Sequence, residues 1–235
     1  MIGNPSAPTT PVALDIGVAG GSAQHEFERR HARREARVRT AHPKLGGLIL
    51  ALSDDPQSTR AWQSGALGER RLADKLADLG DAVIALHDRR VPDSRANIDH
   101  IVIGPTGVYV VDAKRYRNAK ISIRRSGGLL SPRREQLIVG GRNKTKLATG
   151  MQWQVDAVRA ALATSDEFRE VPVVPVLCFI DGELPLFGAL ELGDVRIRGL
   201  RGTAKLVSVA GPFDAAACDR LARYLADSLP AKNTP

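Results

Sequence analysis

NIDHIVIGPTGVYVVDAK, residues 97–114, is the stretch on which the fold turns. Apolar residues on either side of Pro105-Thr106-Gly107 describe two short strands joined by a turn. Each strand also carries an aspartate, Asp99 and Asp112, and Lys114 follows two residues after the second. Residues two apart in a strand share a face, so Asp112 and Lys114 project together, on the side used by Val108 and Val110. The place of Asp99 depends on the turn. A two-residue loop at Pro105-Thr106 pairs Gly104 with Gly107 and sets Asp99 opposite Asp112, with β-carbons roughly 5 Å apart. A longer turn with Gly107 as a bulge shifts the register by one and separates their faces. The sequence permits both.

In the first register two like charges meet on a half-buried sheet, which is unfavourable without a cation between them. A hard divalent ion such as Mg²⁺ meets that need, because it prefers carboxylate oxygens and keeps several waters. Lys114 beside it would hold a phosphate, orient a water or lower that water's pKa. The plainer alternative is a solvated hairpin edge with an Asp–Lys pair.

Two further polar residues fall on apolar helical faces. GERRLADKLADLG, residues 68–80, sets Leu72, Leu76 and Leu79 on one stripe that Gly80 is placed to end. Glu69 lies three residues before Leu72, on that stripe, and so faces the sheet; the alternative is a solvated charge suiting the start of a helix. In MQWQVDAVRAALA, residues 151–163, Gln154 shares a face with Val158 and Ala161. A buried amide needs partners, and a water or a phosphate would supply them. Gln152 is close enough to compete for the role. His100 points to the face opposite Asp99 and reads as a packed histidine, and Trp62 and Trp153 read as packing residues.

The chain of 235 residues is 43% hydrophobic but only 4% aromatic, so aliphatic side chains must supply most of a core sized for one sizeable domain with extensions. Its longest early apolar run, LGGLILAL at 45–52, is too short to span a membrane and follows a long polar segment. Cys178 and Cys218 have neither metal-ligand spacing nor the density of a disulfide framework. That pattern reads as a reducing compartment, the cytoplasm.

The net charge of +8 is unevenly spread. Residues 114–146 hold eleven Lys or Arg and one acid, Glu135. Such a stretch repels itself unless a polyanion is near, and nucleic acid is the commonest such partner. A second basic run, RRHARREARVR at 29–39, reads equally well as a solvated helix face.

Residues 1–22 read as a disordered tail and 23–60 as a basic helical extension, Ala23 to about Ala41, followed by the connector SDDPQSTR at 53–60. The main domain is expected over 61–210, with a C-terminal helix and tail over 211–235. Strands are expected in AVIALHD, AKISI, VPVVPVLCFI, DVRIRGL and KLVSVA, and a last helix in FDAAACDRLARYLADSL. The order predicts an α/β fold with a mixed central sheet flanked by helices.

Glu69 after Gly68, the 97–114 hairpin and the later glutamine helix together resemble the nuclease-related domain, NERD, a branch of the PD-(D/E)xK restriction-endonuclease-like superfamily. The resemblance covers about residues 61–210. It implies a restriction-endonuclease-like core and Mg²⁺-dependent cleavage of DNA phosphodiesters, with Mn²⁺ as a substitute ion. By position it implies Asp99, Asp112 and Glu69 as metal ligands, Lys114 acting on phosphate or water, and Gln154 as the downstream amide. Asp stands at 112 where the family more often has Glu. The basic stretch 114–146 would hold the DNA backbone by phosphate and shape rather than by base sequence. Two rival readings use the same residues: a catalytically inactive nucleic-acid-binding module, and a scaffold protein that docks a partner through its basic helix.

Overall fold

Gly104 pairs with Gly107 across the hairpin, so Pro105 and Thr106 form its two-residue loop. Close backbone approach demands both glycines. A β-carbon on Gly104 would lie 2.1 Å from the Val207 carbonyl oxygen, and one on Gly107, at φ 139°, would lie 2.7 Å from that of Pro172. This is a computed structural model, and it describes residues 13–43, 45, 47, 50, 56–94, 96–128, 131–186 and 188–232. Residues 1–12 of the expected tail and 53–55 of the expected connector lie outside the described residues.

The hairpin strands are β2 (Asn97–Gly104) and β3 (Gly107–Arg115). β1 (Ile84–Arg90) pairs antiparallel with β2, while β7 (Val173–Ile180) lies parallel to β3. β9 (Val195–Gly199) continues parallel to β7, and β8 (Leu190–Leu192) closes the edge antiparallel to it. The sheet order is β1-β2-β3-β7-β9-β8, mixed as expected. The basic stretch forms a second, three-stranded sheet: β4 (Ile121–Gly128), β5 (Ser131–Val139) and β6 (Arg142–Asn143).

Strand alternation divides the core in two. Val108, Val110, Leu177 and Phe179 face one side, where α4 (Gln152–Ala163) and α6 (Ala215–Ser228) pack, beyond the short α3 (Thr145–Thr149). Val102, Tyr109, Val111 and Cys178 face the other, covered by α2 (Gln57–Ala77) and α5 (Leu200–Val207). Leu72 and Leu76 of α2 are almost wholly buried there, each contributing about 2 kcal/mol of apolar transfer. The result is a mixed sheet between helices, consistent with a PD-(D/E)xK-like core.

Two expectations need correction. The end of the connector, from Gln57, belongs to α2, which begins eleven residues before Gly68. Ala66, Glu69, Leu72 and Leu76 form a buried stripe along the second half of α2, so Glu69 sits mid-helix and not near a helix start. KLVSVA is not a strand: its first three residues end α5. Leu200, Thr203, Ala204 and Val207 recur at helical spacing, and burial of Thr203, Ala204 and Val207 outweighs the local alternation.

β1 is the free edge of the large sheet, and segments from both flanks of the chain cover it. His87 donates its backbone N–H to the Ile16 carbonyl, and Arg90 donates to Pro230. Arg89, fully buried, gives Nε to the Leu229 carbonyl at 2.6 Å, Nη2 to Ala226 at 2.7 Å and Nη1 to Asp15 at 2.9 Å. It thereby caps the end of α6 and clips residue 15 to the sheet. α1 (Gly21–Ala41) follows this N-terminal segment and packs on α2, with Arg30 over the ring of Trp62. Among the described residues no helix is long and apolar enough to cross a membrane, and Cys178 and Cys218 are free and buried.

Candidate active site

The β2–β3 ladder ends at His100↔Val111, one step short of Asp99 and Asp112, which that register sets opposite each other. Beyond it β2 stays paired to β1 as far as Asn97, and β3 to β7 as far as Arg115. The strands therefore part like a fork, and the two aspartates stand at its crotch. Ile98, Ile101 and Ile103 all join the same core cluster, which strict alternation forbids. The break lies across from Asp88, which adopts φ 48° and drops out of the ladder between His87↔His100 and Arg89↔Ile98.

Four of the sequence-predicted residues converge here. Lys114 donates its Nζ to Asp112 Oδ1, and Asp112 is buried. Burial pushes the Asp99 carboxyl well above the ordinary value; Glu69 and Asp112 push the same way, Lys114 opposes, and Asp99 and Asp112 share a hydrogen bond. Glu69 on α2 is raised to about 7 by burial, against the pull of Lys114 and with the push of Asp88 and Asp112. Burial works against the Lys114 ammonium, but the carboxylates of Asp112, Asp99 and Glu69 outweigh it and hold its pKa above the ordinary value. The arrangement is an excess of acid around one cation, the condition under which buried carboxyls keep protons.

Gln154 is buried in the first turn of α4, against the β3–β7 face, and its Oε1 has no hydrogen-bond partner among the described residues. Gln152 is exposed and donates to Asp156. His100 is wholly buried, its Nδ1 2.8 Å from that of His87. Trp62 and Trp153 are both partly exposed.

Sequence reasoning missed the residues that close the fork from the other side. The Gly20 backbone N–H donates to Glu69. Ser22 donates its backbone N–H and hydroxyl to the Asp88 carboxylate at 2.7–2.8 Å, and Asn97 Nδ2 donates to Asp88 Oδ1. The start of α1 thus directs N–H groups at two acids of the cluster, the favourable sense for a helix N-terminus. Asp88 is legible once β1 is put in register with β2; its left-handed backbone is not.

Residues 64–180 match NERD, the nuclease-related domain. The matched stretch holds Glu69, Asp99, Asp112, Lys114 and Gln154, and it ends with β7. The segment before residue 64, with Gly20 and Ser22, and everything from β8 onward lie outside the NERD match. No curated protein and no solved structure matches the chain.

The donor set is all carboxylate oxygen, the chemistry of a hard cation. Among the described residues no group of three or more His, Cys, Asp or Glu is gathered as a metal site. Lys114 engages Asp112, and Gly20 engages Glu69.

Proposed function

We propose that this protein is a metal-dependent nuclease that hydrolyses DNA phosphodiester bonds through a PD-(D/E)xK-type site. The supporting observation is the Asp99–Asp112 carboxyl pair at the β2–β3 fork with Lys114 against it, inside the NERD match. Burial presses Asp99 and Glu69 toward their protonated forms, a cost that a divalent cation would relieve by displacing the proton.

Asp99, Asp112 and Glu69 would hold Mg²⁺ or Mn²⁺. The ion would supply charge stabilisation to the phosphoryl oxygens and a more acidic water. Lys114 carries the other half of the electrostatics: its ammonium exchanges the Asp112 carboxylate for a phosphate oxygen when DNA enters, offsetting charge that develops there. The unpartnered Gln154 amide would position substrate or water. Exposed Arg124, Arg134, Arg142 and Lys146 on the second sheet and α3 would grip the backbone, so binding should fall steeply with salt.

The test is cleavage of single-stranded, linear and supercoiled DNA with Mg²⁺, Mn²⁺ or EDTA, wild type beside Asp112→Ala and Lys114→Ala. Metal-dependent cutting by the wild type alone is expected. If all three proteins bind DNA alike and none cuts any form, a non-catalytic binding module replaces the nuclease.

A further inference from the structure

Glu69 and Lys114 face the carboxylate cluster, and each is followed by an arginine, Arg70 and Arg115. These two turn to a separate hollow between α2 and the end of β3, of about 690 Å³, whose wall also includes Arg60, Arg117, Ser64 and Leu67. Among the described residues no acidic side chain and no aromatic ring lines it.

The hollow is built around Arg115, whose side chain is only 9% exposed. Its Nε donates to Asp181 at 2.8 Å and its Nη1 reaches the Ser64 hydroxyl at 3.4 Å. Asp181, at φ 60°, also accepts from Arg71 at 2.6 Å, so it lies behind the wall and fixes the guanidinium plane. Arg70 and Arg117 make no ion pair or hydrogen bond among the described residues. Other surface guanidiniums are answered on the spot in several places, as in Arg29–Glu26, Arg39–Glu35 and Arg223–Asp219. Two exposed guanidiniums without a partner among the described residues, Arg70 and Arg117, thus flank Arg115 in a concavity one residue from the cluster on both elements. Together they favour an anion from outside.

We propose that this hollow is a binding site for the phosphorylated end of a nucleic-acid strand; the assignment rests on the nucleic-acid reading of the neighbouring cluster. A terminal phosphomonoester carries about −1.5 to −2 charge at neutral pH, against one per backbone diester, and offers three strong acceptor oxygens. Guanidiniums take such oxygens in bidentate pairs. The volume admits the phosphate with its sugar, and the absence of rings leaves nothing on which a base would stack. A strand held here by its end would present an adjacent linkage to Asp99, Asp112 and Lys114.

Binding is measured with the full chain in EDTA, so that no cutting intervenes. The probe is one internally labelled oligonucleotide in 5′-phosphorylated, 3′-phosphorylated and unphosphorylated forms. Wild type should prefer one phosphorylated end by about tenfold or more, and Arg70→Gln/Arg117→Gln should lose that preference with an unchanged circular dichroism spectrum. Equal affinity for all three forms overturns the site, as does a preference that survives in the double variant. Equal affinity alongside intact Mg²⁺-dependent cleavage refutes the pocket alone. An end preference in a protein that cuts nothing supports the pocket and refutes the nuclease.

Discussion

Gly20 donates its backbone N–H to the Glu69 carboxylate, tying the start of α1 to the middle of α2. Glu69 therefore answers to two parts of the chain: Lys114 and Gly20 favour its charge, while burial and the neighbouring acids oppose it. Its folded value, about 7 against an ordinary 4.5, makes protonation favourable to the fold. The linked stability is present below about pH 4.5 and is lost as pH rises through about 7, on the order of 3 kcal/mol at most. Denaturation midpoints in EDTA from pH 4.5 to 8 should show this loss in wild type and not in Glu69→Gln. Gly20→Ala, whose β-carbon would meet the Ala66 carbonyl oxygen at 2.9 Å, should weaken the bond and move the Glu69 titration higher.

Asp99 is the residue where stability and the proposed chemistry pull apart. Asp99→Asn keeps the shape and removes a carboxyl that burial and two acids press upward. At pH 8 without metal the variant should be more stable, by about 1–2 kcal/mol. The same substitution should abolish metal-dependent cleavage. Thermal unfolding and a plasmid assay on one preparation read both; a variant less stable than wild type would deny the crowding of charge at the fork.

The buried His87–His100 pair acts in the opposite sense. Burial first, then Arg89, lowers His87 from 6.5 to about 4, and His100 is lowered too. The fold favours the neutral ring, so this contribution is intact above about pH 6.5 and fades as pH falls towards about 4, by about 3 kcal/mol for His87. Subtracting the pH–stability curve of His87→Gln from that of wild type should isolate it. A flat difference would mean that the rings titrate normally.

Arg89 should be the most costly single arginine to remove. Methionine fills its volume but leaves the carbonyls of Leu229, Ala226 and Asp15 without their donor. A loss of about 3 kcal/mol or more is expected for Arg89→Met in urea denaturation, and proteolysis should reach the segment before α1 sooner.

The hairpin was legible because alternating aliphatics flank Pro105-Thr106-Gly107, whereas its register, which sets the two aspartates together, was one of two that the sequence permitted and was decided by the Gly104–Gly107 pairing. Gln154 followed from the helical spacing of Val158 and its neighbours, and it is the buried glutamine. The failures share a cause, which is that tertiary contact outweighs local pattern. KLVSVA alternates like a strand, yet Thr203, Ala204 and Val207 are buried on a helix. Polar SDDPQSTR reads as a connector, although its last four residues already belong to the helix that carries Glu69. The involvement of Gly20 and Ser22 leaves no sequence signature, because what positions them is a long-range contact with Glu69 and Asp88.

The covering of β1 by residues around Ile16 and Pro230 protects more than the core. Bare edge strands recruit strands of other molecules, and β1 carries Ile84, Leu86 and His87 beside the site. A preparation trimmed at either flank would offer that edge for intermolecular pairing. Its first symptom would be self-association, with any change at the carboxylates arriving later.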